Sequence, residues 1–522
     1  MDWTVRSTDH GSERDLSDFV NAVRRDFDSS DESASAYCAS ECSSSDLEEQ
    51  SISSKRQDLA SYLSSTTTRH IEEDPEDKGQ SLGGFDDDDD DDISEEPQWR
   101  CLSYVRHQLL SLYRRIFGIV FVVNMGVFIS YAIRGADAKQ IGTVVVGNLF
   151  TAVVMRQEYV INAFFTVACL APRSWPLAIR RTLAHVYSIV GIHSGAAVSG
   201  TVWSALFVGK ATREVMSEGK TALRTLVVSY TILALLVMIL VLAYPKFRTR
   251  HHDVFEMVHR FAGWVAVALV WAQVVLLTND YRTSDEPLGY ALVHSATFWL
   301  VIVLTSSIIL SWLRLRKVPV RVEALSDHCA RFYFNYVDTK PGHFTRMSTN
   351  PLFEWHSFAT IREPGKSGYS SVISRAGDWT SKQIENPPDK IWVRGIPCYG
   401  VVSVTPLFRR VVMVATGSGI GPIAPVIFAK RTEIQLLWVA PSVRQTFGDK
   451  LVDSLLNASP GSVMYDTRTH AGRPDLIQLT YRMVRDFQAE AVVIISNRSL
   501  TEKVVYGMES RGIPAYGAIW DS

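Results

Sequence analysis

Five apolar residues, Val411-Val412-Met413-Val414-Ala415, run into Thr416-Gly417-Ser418-Gly419-Ile420-Gly421-Pro422. A buried strand that passes through glycines into a helix lets the backbone approach a pyrophosphate, and free amides at the helix start attract the anion. Glycine turns also occur as plain tight turns. Here the strand before the turn and the strand–helix repeats after it favour dinucleotide chemistry. A second set of candidates is the histidines inside apolar stretches: His185 and His193, eight residues apart, and His259. Eight helical residues span about 12 Å and set the two side chains about 80° apart. Intramembrane histidines default to a functional role, although a hydrogen bond to a neighbouring helix satisfies the same pattern. The cysteines, Cys38, Cys42, Cys101, Cys169, Cys329 and Cys398, form no CxxC pair. This argues against a zinc site or a disulfide framework and for reduced thiols facing the cytosol.

The elements that must position these residues differ in texture along the 522-residue chain. Residues 1–97 are acidic and serine-rich, with an aspartate run at 86–92, and read as a disordered tail. The N-terminus has no apolar core of a cleaved signal peptide. Residues 98–316 carry six long apolar stretches, near 117–133, 142–171, 182–208, 222–244, 257–277 and 290–313, and read as a six-helix transmembrane domain. Lys and Arg placement puts both termini in the cytosol, although the loop 209–221 is more basic than that rule favours. A multi-pass protein of the plasma membrane, rather than of internal membranes, is expected, with the lipid bilayer as a partner. The net charge of −2 says little about partners because it is unevenly placed, but no basic stripe interleaved with aromatics is present, so no nucleic-acid partner is expected. Oligomeric state is not legible.

Residues 317–407 read as short alternating strands with turn residues between them, a small antiparallel β-barrel. Residues 408–522 alternate strand, glycine turn and helix, an α/β doubly wound sheet.

The Gly-Pro ending of the turn at Gly421-Pro422 resembles ferredoxin–NADP reductase modules. Glu354-Trp355-His356-Ser357-Phe358-Ala359-Thr360 resembles the His-Pro-Phe-Thr flavin motif of the ferric reductase and NADPH oxidase superfamily. Arg375-Ala376-Gly377-Asp378-Trp379-Thr380 resembles that superfamily's Gly-x-Trp-Thr segment. The resemblance implies that His356, Ser357, Phe358 and Thr360 border FAD. It implies that Gly377, Trp379 and Thr380 hold the FAD pyrophosphate at a helix N-terminus, with Thr380 as an anion-binding cap. It implies NADPH or NADH at Thr416, Gly417, Gly419, Gly421 and Pro422, with Ser442 and Arg444 favouring a 2′-phosphate. Arg473, in the segment Thr469–Asp475, matches a Gly-Arg-Pro motif. Trp520 is placed to cover the flavin ring, and Ser496 stands where the family has a cysteine beside the nicotinamide. Three departures are visible: Ser357 replaces the motif's proline, Ala359 replaces its threonine, and Ser496-Asn497 replaces Cys-Gly.

In those families the third and fifth helices each supply two histidines for a pair of haems. Here the ladder is broken, because Ala272 and Gln273 stand where the second ligand of the fifth helix would fall. A single haem b between His185 or His193 and His259 is the reading that remains. The whole pattern is similar to fungal TmpA-like membrane flavoproteins, whose reductase-like domains also occur fused to adenylating enzymes and which are linked to development and redox balance. The resemblance implies a membrane-bound FAD- and NAD(P)H-dependent oxidoreductase that passes electrons to a small-molecule or protein acceptor. The alternatives are a haem-containing ferric reductase or NADPH oxidase moving electrons across the membrane, and a non-catalytic flavin- or nucleotide-binding sensor.

Overall fold

The computed structural model describes residues 111–362, 365, 367–469 and 473–518, all within the unit Phe85–Ser522. The expected tail, Cys38, Cys42, Cys101 and Trp520 lie outside the described residues.

Helix α1 (Leu112–Arg134) stops at Gly135, whose φ of 74° accommodates a left-handed cap. Helix α2 (Ala138–Val154) opens on a capping box between Asp137 and Gln140. It breaks at Arg156-Gln157, and α3 (Glu158–Cys169) leaves at 68°. Helix α4 (Leu177–Ala184) passes through a 3₁₀ turn, His185–Ile189, into α5 (Val190–Arg213). Then follow α6 (Leu223–Leu242), α7 (Pro245–Arg250), α8 (His252–Tyr281), α9 (Leu288–Val293) and α10 (Ala296–Trp312).

Four helical stretches among the described residues are long and apolar enough to cross a membrane: α1, the α4–α5 run, α6 and α8. A fifth is counted if the bent pair α2–α3 is one span. The expected count of six is not reached by this measure. Residues 142–171 are not one straight helix, because Arg156, Gln157 and Glu158 interrupt them and α3 turns onto the following domain. The last stretch forms a helix of only 17 residues. Valines and isoleucines of α1 and α6 face outward, with Ile133 80% and Val227 58% exposed, as a lipid-facing surface requires. The basic loop 209–221 is neutralised locally. Lys210 and Lys220 lie 3.4 and 3.3 Å from Glu218, and buried Glu214 accepts from Thr221, Tyr281 and the amide of Ala138.

Seven strands follow: β1 (Arg316–Pro319), β2 (Arg321–Ser326), β3 (Cys329–Phe334), β4 (His343–Ser348), β5 (His356–Ala359), β6 (Tyr369–Ser374) and β7 (Lys390–Tyr399). They form antiparallel sheets of order β1-β7-β4-β5 and β2-β3-β6 around Phe332, Met347, Ile373 and Val393. Helix α11 (Asp378–Glu385) joins β6 to β7.

The third part is a parallel sheet: β8 (Arg410–Thr416), β9 (Glu433–Ala440), β10 (Val463–Asp466), β11 (Ala491–Ile495) and β12 (Ala515–Gly517), in the order β10-β9-β8-β11-β12. The central strands are buried on both faces, so they are continuously apolar rather than alternating. The connecting helices are α12 (Ile420–Phe428), α13 (Val443–Phe447), α14 (Asp449–Ala458), α15 (Leu476–Phe487) and α16 (Arg498–Glu509). The chain steps outward from β8 to β10 and then returns to β11. The order therefore reverses between β8 and β11, and the strand ends there form the usual ligand crevice of such sheets.

One barrel residue carries a pH dependence. His343 is buried, and its Nδ1 accepts from the Lys340 amide at 3.3 Å. Its ring meets Tyr399 edge-on at 4.3 Å. Burial, and secondarily Lys340, pulls its pKa down to about 4. The unfolded chain takes up this proton below about 6.5, whereas the folded chain takes it up only below about 4. Stability is therefore complete above pH 6.5 and should fall by roughly 3 kcal/mol as the pH drops to 4. Denaturant unfolding of wild type and His343→Phe across this range should show a shallower acid limb in the variant.

Candidate functional site: a cleft between the barrel and the parallel sheet

Strand register determines which side chains meet at the crevice. Ala415 on β8 is level with Ile495 on β11, so the next residues, Thr416 and Ser496, emerge together, and their hydroxyls are hydrogen-bonded at 2.6 Å. Gly417 follows at φ +52°, and a Cβ there would meet nothing within 4 Å, so this glycine faces open space. Its carbonyl accepts from Trp438 Nε1 at 3.0 Å. Gly419 faces the other way, and a Cβ on it would lie 2.2 Å from the carbonyl oxygen of Ile495. Its role is close packing of the turn on β11. Gly421 opens α12 against the barrel, where its Cβ would stand 3.9 Å from the Val372 carbonyl on β6, and Pro422 is half-buried beside it. The glycine turn thus lies between the sheet edge and the barrel.

On the barrel side, β5 presents His356 and Phe358 on one face, two residues apart. The Trp379 ring lies over both, with centroids 4.2 Å from His356 and 5.7 Å from Phe358, each tilted by 24°. Trp379 Nε1 donates to Glu354 at 3.0 Å and to Thr349 at 3.2 Å. Glu354 also accepts from the amides of Thr349 and Asn350 and stands 3.6 Å from His356 Nε2. Burial works against the Glu354 charge, but the bonds from Thr349 and the nearby imidazole outweigh it and hold its pKa below the usual carboxylate range. The result is a half-buried aromatic platform fixed by a carboxylate. Gly377, exposed and with open space at its Cβ position, begins the adjoining helix α11.

Several expected roles are not supported by the geometry. The Thr360 hydroxyl is buried and donates to the His343 carbonyl, so it does not face the cleft. The Thr380 hydroxyl accepts from the amides of Ala376 and Gly377 and donates to the Gly377 carbonyl, which leaves it no capacity as an anion cap. Arg444 donates through Nη1 alone to Asp449 at 3.0 Å and Asp453 at 2.8 Å, which raise its pKa and tie one end of the guanidinium to α14. Ser442 sits at φ 44°, its amide tied to Asp466 at the end of β10. Ser357 and Arg473 are exposed, and Trp520 lies outside the described residues. His185 turns away from the bundle: its ring packs at 4.9 Å against Tyr516 on β12. His193 Nδ1 donates to the Ala152 carbonyl at 2.7 Å, leaving Nε2 free, and His259 stands within electrostatic range of it. His193 and His259 thus interact electrostatically inside the bundle, whereas His185 packs on β12.

Sequence reasoning missed how firmly the bundle grips this module. Glu158, buried on α3, pairs with Arg346 on β4 and accepts from the Ile396 amide at 2.9 Å. One turn on, Asn162 donates to the Pro397 carbonyl at 2.9 Å and accepts from the Tyr399 amide at 3.1 Å. Gly395, at φ +68°, makes room, because a Cβ there would collide with the Glu158 carboxylate at 2.2 Å. On the other side Arg180 pairs with Glu490 at 2.7 Å and donates to the Leu407 carbonyl, while Arg173 reaches Pro406 and Thr432. The signal was available: Glu158 is the sole carboxylate inside the apolar stretch 142–171.

A parallel α/β sheet with a glycine turn at its reversal point, packed on an antiparallel barrel and joined to an apolar helical bundle, defines the class. Residues 401–522 match the family model described as Adenylate-forming reductase 03009, C-terminal domain. Adenylate-forming reductase 03009 of Coprinopsis cinerea is 57% identical over 429 residues, and Adenylate-forming reductase 06235 of the same organism is 54% identical over 432. Each match covers 82% of this chain but 42% of the relative, so the chain spans less than half of their length. These relatives are adenylate-forming reductases, whereas the motif resemblance pointed to ferric reductases, NADPH oxidases and TmpA-like proteins. Among solved structures, CYP116B46 from Tepidiphilus thermophilus is similar at 18% identity over 39% of this chain and 28% of that one, with a TM-score of 0.34. A ferredoxin NADP+ reductase from Neisseria gonorrhoeae with bound FAD and NADP is similar at 14% identity over 39% of this chain and 98% of that one, also with a TM-score of 0.34.

Proposed function

We propose that this protein is a membrane-embedded oxidoreductase that binds FAD on the barrel and NAD(P)H at the sheet edge, with both termini on the cytosolic side. The observation that carries this reading is the placement of the Gly417–Gly421 turn, at the reversal point of the sheet and directly against barrel strand β6. The names of the relatives support a reductase role for the matched region. A flavin bound here would take a hydride from nicotinamide and pass electrons on to an acceptor. His356, Phe358 and Trp379 supply the flat surface for such a ring, and the exposed start of α11 at Gly377 offers backbone amides to phosphate. Gly417 leaves room for the second pyrophosphate, and the Thr416–Ser496 hydroxyl pair borders the nicotinamide end. The acceptor is a small molecule or a protein.

The absorption spectrum of the detergent-purified full chain tests the reading. Flavin bands are expected, and Trp379→Leu should weaken flavin retention about tenfold by removing the stacking surface. A colourless wild-type protein that gains no flavin on incubation would overturn it.

A second reading, with one haem in the bundle, is favoured by the free Nε2 of His193 and the nearby His259. A reduced-minus-oxidised haem difference band, lost in His193→Ala, is the expected sign. Its absence in wild type refutes this reading without touching the first.

A further inference from the structure

Where the bundle meets the barrel, positive charge exceeds what the local carboxylates balance. The guanidinium of Arg394, on β7, lies between the rings of Trp312 at the end of α10 and Trp355 just before β5, 4.9 and 4.5 Å from their centroids. Its Nε is buried without a hydrogen-bond partner, and among the described residues it makes no ion pair. The nearest carboxylates are committed: Glu158 to Arg346 and Glu256 to Arg260. Burial first, then Arg346 and Arg260, pulls the Arg394 pKa down to about 9. Glu158 and Glu256 act against this, but a guanidinium keeps its proton at neutral pH, so three guanidinium groups face two carboxylates and the seam stays net positive.

This charge has an apolar rim. Arg260 Nη1 donates to the Leu352 carbonyl at 2.8 Å, which fixes the barrel loop beside α8. Leu352 and Phe353 on that loop are 49% and 52% exposed, and the Phe353 ring is 5.8 Å from Phe261 of α8. Met257, one turn earlier on α8, and Leu313, just past α10, are also exposed. Exposed apolar side chains around a stacked guanidinium, at the end of α8, a helix long enough to span a bilayer, match the boundary between headgroups and acyl chains. Cationic groups at that depth attract anionic lipids.

We propose that this seam binds the headgroup phosphate of an anionic phospholipid at Arg394, with Leu352 and Phe353 set among its acyl chains. The barrel then rests on the bilayer as well as on the bundle, and the lipid contacts Trp355, the residue preceding the platform histidine His356. This inference rests on the membrane-embedded part of the proposed function and is independent of its redox chemistry.

Thermal unfolding of the detergent-purified full chain tests it with three probes: dihexanoyl phosphatidylglycerol, dihexanoyl phosphatidylcholine and inorganic phosphate. At a hundredfold excess over Kd, phosphatidylglycerol should raise the Tm by about 4 °C. Phosphatidylcholine and phosphate should leave it unchanged. Arg394→Gln should abolish the shift. The double variant Leu352→Ser/Phe353→Ser, which alters only exposed side chains, should reduce it by at least half. An equal response to phosphatidylcholine or to phosphate overturns the proposal, as does a wild-type response in both variants.

Discussion

Gly419→Ala should cost the parallel-sheet domain about 3 kcal/mol and, on the proposed reading, should abolish NAD(P)H binding. The added Cβ has nowhere to go, since the Ile495 carbonyl oxygen is 2.2 Å from its position and that oxygen ends the inner strand β11. Relief requires moving the turn away from the strand and carrying Gly417 and α12 with it. The glycine's φ of −57° is ordinary, so the penalty comes from space alone. Gly417→Ala is the control. Its φ of +52° imposes about 1 kcal/mol of backbone strain, but its Cβ position is open. Gly417→Ala should therefore fold and, on the proposed reading, bind NAD(P)H more weakly. Calorimetric titration with NADPH alongside unfolding measurements separates the two. If Gly419→Ala melts like wild type, the close packing of the turn on β11 is refuted.

Glu158→Ala should destabilise the protein by about 3 to 5 kcal/mol, because it strips a buried charge pair of one partner and leaves the other behind. Arg346 loses its carboxylate in a seam that already carries Arg394 and Arg260, and the Ile396 amide loses its acceptor. Glu158→Gln keeps an acceptor for that amide and should lose less. Chemical denaturation of the full chain, read by tryptophan fluorescence, orders the three proteins. Equal midpoints for wild type and Glu158→Ala would show that α3 does not clamp the barrel.

The elements legible in the sequence were those with a strong local period. The inner strands of the parallel sheet are unbroken apolar runs and follow from the amino-acid pattern; in the barrel β3 and β4 come near to alternation, whereas β6 is buried along its whole length and lacks the period. The glycine turn was equally legible as a type. Its directions were not, because whether Gly417 or Gly419 faces the cleft depends on where β11 ends. Side chains with several potential partners were misread for the same reason. Thr360 and Thr380 have the right chemistry for a cofactor, but each hydroxyl is taken by a neighbour that the fold supplies, His343 and the chain at Ala376-Gly377, and Arg444 is drawn through one nitrogen to Asp449 and Asp453. The bend at Arg156-Gln157 was visible as a polar interruption, but apolar residues on both sides made the stretch look like one helix.

The grip of α3 and α4 on the reductase half bears on how this polypeptide can be divided. A boundary drawn at residue 317, where the composition changes, separates Glu158 and Asn162 from the β7 groups they complete and Arg180 from Glu490. A soluble fragment beginning there would leave Arg346 and the carbonyls of Pro397 and Leu407 without their native partners. The portable piece is discontinuous: residues 316–518 together with 158–189, which reach them from inside the apolar region. Chimeras that exchange reductase halves between relatives must exchange that short inner segment as well.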